Sequence, residues 1–253
     1  MTTTKTKSKP WHEDDAFWRA RDRFMFSPDK CEQAVVELDH VLELLQVPAG
    51  AAILDLCCGP GRHCVELARR GYAVTAVDRT TAYLDRARQR AAEAGVGVQF
   101  VEDDMRRFRR PDSFDAAINL FTSFGYFDDP DEDRQVLVNL HQSLRAGGRL
   151  VMEMMGKEIL APIFQPRGWD EQDGVFLLGE RTVERDWSWM KVREIYIDGV
   201  RREEHLLEHR LYSAAELRAL LTDVGFTDVQ IYGSLEAIPY DQHAKRLVAL
   251  ARK

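Results

Sequence analysis

Cysteine is scarce in this chain, and its placement does not suit a metal. Four occur in 253 residues: Cys31, Cys57, Cys58 and Cys64. None forms a Cys-x-x-Cys pair, and Cys57 and Cys58 are adjacent, so no metal centre is expected. Three of the four surround a glycine-rich turn and read as small packing groups. No apolar run approaches the ~20 residues of a membrane helix. The opening MTTTKTKSKP lacks the apolar stretch of a secretory signal and reads as a disordered tail over 1–10. With free thiols, these absences point to a reducing, cytoplasmic setting. Positive charge is also short: 35 Lys and Arg stand against 42 Asp and Glu, a net charge of −7. That argues against a nucleic-acid partner and against attachment to an anionic membrane. The Arg-rich stretch from Arg106 to Arg110 reads as a solvated loop. Assembly as a homodimer is left open.

The apolar fraction is 45% and the charged fraction 30%, enough for a substantial core. Aromatics crowd Trp11 to Phe26. Apolar residues then recur at helical spacing through Ala34, Val35, Leu38, Val41, Leu42 and Leu45, after a Ser27-Pro28 helix start. From Ala51 onward, strands and helices alternate. Strands are expected at 51–56, 72–77, 98–102, 115–120 and 149–155. Helices are expected at 62–69, 80–94 and 132–144. This is the rhythm of a parallel sheet covered on both faces. Three antiparallel strands are then expected at 175–183, 186–197 and 200–212, with Asp198-Gly199 as a hairpin turn. A helix at 214–224, with Ser213 and Glu216 as capping box and Gly225 as stop, precedes final strands at 227–232 and 246–251.

The densest signal is the run from Ala51 to Asp78. A buried strand ends at Asp55-Leu56, a turn holds Gly59 and Gly61, a helix follows, and a second strand ends in an acid. The glycines allow close backbone approach to a ligand, and the helix start offers N–H groups to an anion. A dinucleotide fingerprint wants a third glycine where Cys64 stands. Asp55 lies four residues before Gly59. Its charge repels a pyrophosphate but suits the ammonium of a methionine moiety. Asp78 fits a ribose in either case.

DLCCGPGRH resembles the D-x-G-x-G-x-G motif of class I S-adenosylmethionine (SAM)-dependent methyltransferases, with Cys57 in place of the first glycine. The resemblance covers roughly 45–155 and 212–253. It implies that Asp78, with Arg79 beside it, grips the ribose hydroxyls, that Asp104 and Met105 read adenine, and that Asn119 and Phe121 meet the methionine end. Arg62 is a candidate for the cofactor carboxylate. INLFTSFGYF is similar to a bacterial small-molecule subgroup that includes amino-sugar N-methyltransferases. The implied fold is α/β: a Rossmann-like seven-stranded class I methyltransferase sheet with an antiparallel β insert as lid and an N-terminal helical cover. The segments are a tail at 1–10, the cover at 11–47, the SAM-binding core at 48–156, the insert at 157–212 and the completion of the core at 213–253.

Methyl transfer from a sulfonium is an in-line displacement that needs alignment and exclusion of water. An amine acceptor needs no strong base, whereas an alcohol or phenol benefits from one. Candidate bases are His205, His209 and Glu153. Phe124, Tyr126, Trp187, Trp189 and Tyr240 are the aromatics expected around a small-molecule acceptor, with Trp187 and Trp189 on one strand face by period two. Phe17, Trp18 and Phe24 are expected to fold over the cofactor. The products are a methylated nitrogen or oxygen and S-adenosylhomocysteine (SAH). Carbon methylation, an NAD-dependent oxidoreductase and a non-catalytic SAM-binding protein are the rival readings.

Overall fold

A computed structural model describes residues 9–253. Residues 1–8, most of the expected tail, lie outside the described residues. After a short 3-10 turn at Trp11–Glu13 come α1 (Asp15–Met25), α2 (Pro28–Leu45), β1 (Ala52–Leu56), α3 (Arg62–Arg69), β2 (Ala73–Asp78), α4 (Thr81–Ala94) and β3 (Gln99–Glu102). They are followed by β4 (Phe114–Asn119), α5 (Pro130–Ser143), β5 (Leu144–Met154), α6 (Lys157–Ile163), β6 (Arg167–Gln172), β7 (Val175–Glu184), β8 (Trp189–Asp198) and β9 (Arg201–Arg210). The chain closes with α7 (Ala214–Val224), β10 (Thr227–Tyr232) and β11 (Leu247–Arg252).

The main sheet has seven strands in the order β10-β11-β5-β4-β1-β2-β3. β1 pairs in parallel with β2 and β4, while β11 runs antiparallel to β5. This is the Rossmann-like class I methyltransferase sheet. The strand order reverses between β1 and β4, and a crevice opens beyond their carboxyl ends, where such sheets bind ligands. Leu38, Val41 and Leu45 of α2, with Leu67 of α3 and Leu84 of α4, bury fully against one sheet face. Val136, Leu137 and Leu140 of α5, with Leu217 and Leu221 of α7, bury against the other. Each such side chain contributes about 2 kcal/mol, which holds the strand ends rigidly enough to carry a site.

The second sheet is antiparallel, in the order β6-β7-β8-β9, and lies between β5 and α7. It has four strands where three were expected. β6 escapes a periodicity reading because RGWDEQ is a polar edge strand with a single large apolar residue. α6 is also additional; seven residues with Pro162 inside give no legible helical period. β8 begins at Trp189, not Asp186. Arg185, Asp186 and Trp187 all have positive φ (52°, 55° and 65°) and form the turn out of β7. Asp198 pairs with Arg201, so the hairpin turns on Gly199-Val200, one residue later than expected. β5 starts five residues early because Leu144 already pairs with Phe114, across an irregularity that takes up Gly147 and Gly148.

α1 clamps onto the insert. Phe17 packs with Val192 and Leu207, and Phe24 with Val175 and Tyr196. Between them the Arg21 guanidinium pairs with Glu194, whose other oxygen accepts the Tyr196 hydroxyl at 2.6 Å. Phe17 and Phe24 therefore anchor the cover to the insert, and of the three expected aromatics Trp18 is the one that borders the crevice.

Candidate functional site

The β1–α3 turn builds the floor of a cleft beneath the N-terminal segment. β1 is buried on both sides, so Asp55 at its end is forced inside, at 2% exposure. Its Oδ2 is buried with no hydrogen-bond partner, and the residue borders the cleft. Burial pushes the Asp55 carboxyl up to about 6, a rise that His63 and Arg62 moderate and Asp78 reinforces. Cys57 keeps a left-handed backbone, φ 66°, although it carries a side chain, and its Sγ lies 3.6 Å from the Met105 sulfur. Burial, with Asp78 and Asp55 nearby, holds that thiol well above its usual range, so it is an inert wall.

Asp78 closes one side. Its Oδ2 accepts the Gly59 amide at 2.8 Å and its Oδ1 the Thr80 amide at 2.8 Å. The carboxylate thus fixes the glycine turn and still offers lone pairs to the cleft. Asp104 stands opposite. Burial alone would raise its carboxyl, but hydrogen bonds from Arg106 outweigh it and hold the group low. Arg106 reaches Asp104, Glu132 and Glu13 and lies 4.5 Å from the Phe127 ring centroid. The stretch expected as a solvated loop therefore contains one structural cation. His12 and Tyr83 complete this end. The His12 carbonyl accepts from Arg79 and from the Trp18 indole, tying the N-terminal segment over the cleft. Burial, then Arg106, hold the His12 imidazole below its ordinary range.

At the other end, Arg62 stacks on Phe121, 4.4 Å from its ring centroid, and donates to the Lys30 carbonyl. Phe121 and Thr122 both have left-handed backbones (φ 62° and 57°), a strained pair for residues with side chains. Glu153 holds them: its carboxylate accepts the Phe121 amide at 2.7 Å and its carbonyl the Thr122 amide at 3.0 Å. Its second oxygen pairs with Arg246. Beyond Phe121, Tyr126, Trp18 and Met25, which border both spaces, a second, larger cavity of about 570 Å³ lies under the insert. His209 faces it. The imidazole Nδ1 sits 3.2 Å from the Arg210 carbonyl, and burial lowers the ring to about 4, so it is neutral.

Asp55, Cys57, Gly59, Arg62, Asp78, Arg79, Asp104, Met105 and Phe121 all border the first cleft, and Tyr126 borders both. Other expected site residues lie elsewhere. Gly61 is the N-cap of α3 and faces Ala87. Asn119 is buried behind the turn, donating to the Leu56 and Ser123 carbonyls. Phe124 is core, 1% exposed and stacked with Tyr212, because the left-handed pair before it turns the chain inward. Trp187 sits in the β7–β8 turn against Phe164, and Trp189 is buried with its indole N–H on Glu208. Tyr240 bonds to Glu158 beside Gly156. His205 lies beneath α1 near Phe17 and Tyr196, its Nε2 without a hydrogen-bond partner, and lines neither cavity. Residues that sequence reasoning missed include His12, Met25, Phe26 and Tyr83 at the cleft and Lys30, Arg181 and Arg246 at the cavity. Their spacing along the chain carries no local signal; only the fold gathers them.

Residues 53–148 match the family model described as a methyltransferase domain. The chain is 22% identical over 228 residues to the glycine/sarcosine N-methyltransferase of Aphanothece halophytica, covering 86% of this chain and 82% of that one. Among solved structures it resembles a SAM-dependent methyltransferase from Clostridium acetobutylicum, with a TM-score of 0.78 and 16% identity over 94% of this chain and 98% of that one. It also resembles CalS10, an amino pentose methyltransferase from Micromonospora echinaspora, with a TM-score of 0.66 and 21% identity over 94% and 95%.

Proposed function

We propose that this chain is a class I SAM-dependent methyltransferase that methylates a nitrogen of a small-molecule acceptor and releases SAH. The observation that carries the cofactor assignment is the unpartnered Asp55 oxygen at the floor of the cleft. A buried carboxylate oxygen without a donor is costly unless a ligand supplies one, and the methionine ammonium is such a donor. Asp78 would hold the ribose, Asp104 and Met105 the adenine, and Arg62 the terminal carboxylate. When bound, SAM supplies an electrophilic methyl group.

The chain's own part is placement. Phe121 and Tyr126 form the seam between cleft and cavity, so donor and acceptor would meet there. Trp18 and Met25 of the cover border the same seam and would help to exclude water from it. Nitrogen is favoured over oxygen by the state of the candidate bases. His209, lowered to about 4 by burial, is a weak proton acceptor near neutral pH. Glu153 is committed to Phe121 and Arg246. A neutral amine needs neither, and His209 can serve as a hydrogen-bond acceptor that orients it. The likeness to a glycine/sarcosine N-methyltransferase and to an amino pentose methyltransferase supports this reading. So does the resemblance to the small-molecule subgroup.

Parallel calorimetric titration with SAM, SAH and NADH tests the cofactor. Micromolar SAM and SAH binding without NADH binding is expected, and NADH binding alone overturns the proposal. Amine and hydroxyl acceptors are then compared by SAH release; turnover restricted to hydroxyls overturns the choice of nitrogen.

A further inference from the structure

We propose that Arg181 is the oxyanion-binding residue of the cavity under the insert, and that the acceptor therefore carries a carboxylate or phosphate group. Calling that anion the acceptor rests on the methyl-transfer reading above; the anion site itself does not.

Gly168 of β6 and Gly179 of β7 face each other in register. A Cβ on Gly168 would come within 3.3 Å of an Arg181 guanidinium nitrogen, and one on Gly179 within 3.1 Å of the other. Two cross-strand glycines thus clear a bare patch of sheet on which the guanidinium lies flat. Glycine in a strand interior weakens it and marks a place where something must approach the backbone closely. Here that is the head of an arginine, on the face that borders the cavity.

The charge bookkeeping around it is unequal. Arg21 pairs with Glu194, and Arg246 with Glu153. Arg181 forms no ion pair among the described residues; its side-chain contact is the Gln165 carbonyl at 3.5 Å, at the limit of a hydrogen bond. Lys30 is the other cation at the cavity without an ion pair among the described residues, and it donates to the Phe24 carbonyl. Asp170, on the exposed rim, is the carboxylate whose field it feels most. The neutral His209 adds no charge. A flat fork of donors, held on a bare sheet and facing a cavity walled by Trp18, Leu177 and Met190, suits a planar or tetrahedral oxyanion on a partly apolar body.

The test uses benzoate, phenyl phosphate and the neutral benzamide, titrated by calorimetry into the full chain with and without saturating SAH. Wild type, Arg181→Gln and Arg181→Lys are compared, with SAH affinity and Tm as controls for folding. At least tenfold tighter binding of one anion over benzamide is expected. That preference should vanish in Arg181→Gln and survive in part in Arg181→Lys. Preference for benzoate assigns a carboxylate, and preference for phenyl phosphate a phosphate. Equal binding of benzamide, an anion preference untouched by Arg181→Gln, or no anion binding in either state overturns the proposal. Anion binding by a chain that does not bind SAH leaves the Arg181 site standing and removes the methyl-transfer reading.

Discussion

Glu153 holds Phe121 in place twice over: directly, through a carboxylate 2.7 Å from the Phe121 amide, and through its own carbonyl on the next residue, Thr122. The strained pair is therefore set from the end of β5, and with it the ring under Arg62. Glu153→Ala removes the acceptor and leaves Arg246 without its partner, which should cost about 2–4 kcal/mol in urea denaturation. It should also lower kcat at least tenfold. The pH–rate profile should keep its shape, since Glu153 positions Phe121 and does not move a proton. A lost acidic limb would instead identify it as a base.

Asp55 gives the cofactor site a pH signature. Its carboxyl titrates at about 6 in the free protein, raised by burial. A ligand ammonium binds the ionised form, so the bound state holds fewer protons. Affinity should therefore be full above pH 7 and fall as pH drops through 6, approaching tenfold per unit below it. SAM and SAH both carry the ammonium and should show this slope. Adenosine lacks it and should bind with no such loss. Equal pH dependence for all three ligands in calorimetry would remove Asp55 from the ammonium site.

Asp78→Ala should raise the SAM dissociation constant at least tenfold, about 1.4 kcal/mol. Asp78→Asn should be little better. Both carboxylate oxygens accept backbone amides, from Gly59 and Thr80. An asparagine has one acceptor oxygen and would turn its NH2 toward the other amide. Unchanged affinity in both variants counts against a ribose role.

The stretch from β1 to β2 was legible to within a residue because its signals are local: a buried run, a glycine turn, a short amphipathic helix. The capping box at Ser213 and Glu216 was read correctly for the same reason. What failed was the assignment of side chains to cavities. Phe124 and Tyr126 are two residues apart, yet one is core and the other borders both cavities, because they lie in a loop past the end of β4 and Gly125 between them, at φ 92°, redirects the chain. Trp187 was placed by period two on a strand that begins two residues later. Arg181 carried no sequence signal at all. Its meaning depends on two glycines that become neighbours only when β6 pairs with β7.

Gly59 and Gly61 are two residues apart in one motif but answer to different constraints. Gly61, at φ 85°, would place a Cβ 2.8 Å from the Ala87 Cβ, so it sets how closely α3 approaches α4. Gly59, at φ 54°, would place one 3.4 Å from the Phe26 ring, at the cleft wall. Gly61→Ala adds left-handed strain of about 1–2 kcal/mol to an overlap of about 1–3 kcal/mol, and should destabilise by about 2–5 kcal/mol. Combining it with Ala87→Gly relieves part of the overlap, at a helix-propensity cost of about 1 kcal/mol. A double-mutant cycle in urea should therefore show a favourable coupling of about 1 kcal/mol. Gly59→Ala should be milder in stability and act mainly on SAM affinity. Additive stabilities for Gly61 and Ala87 would mean that the helices move apart freely, and the close packing assigned to that glycine would be wrong.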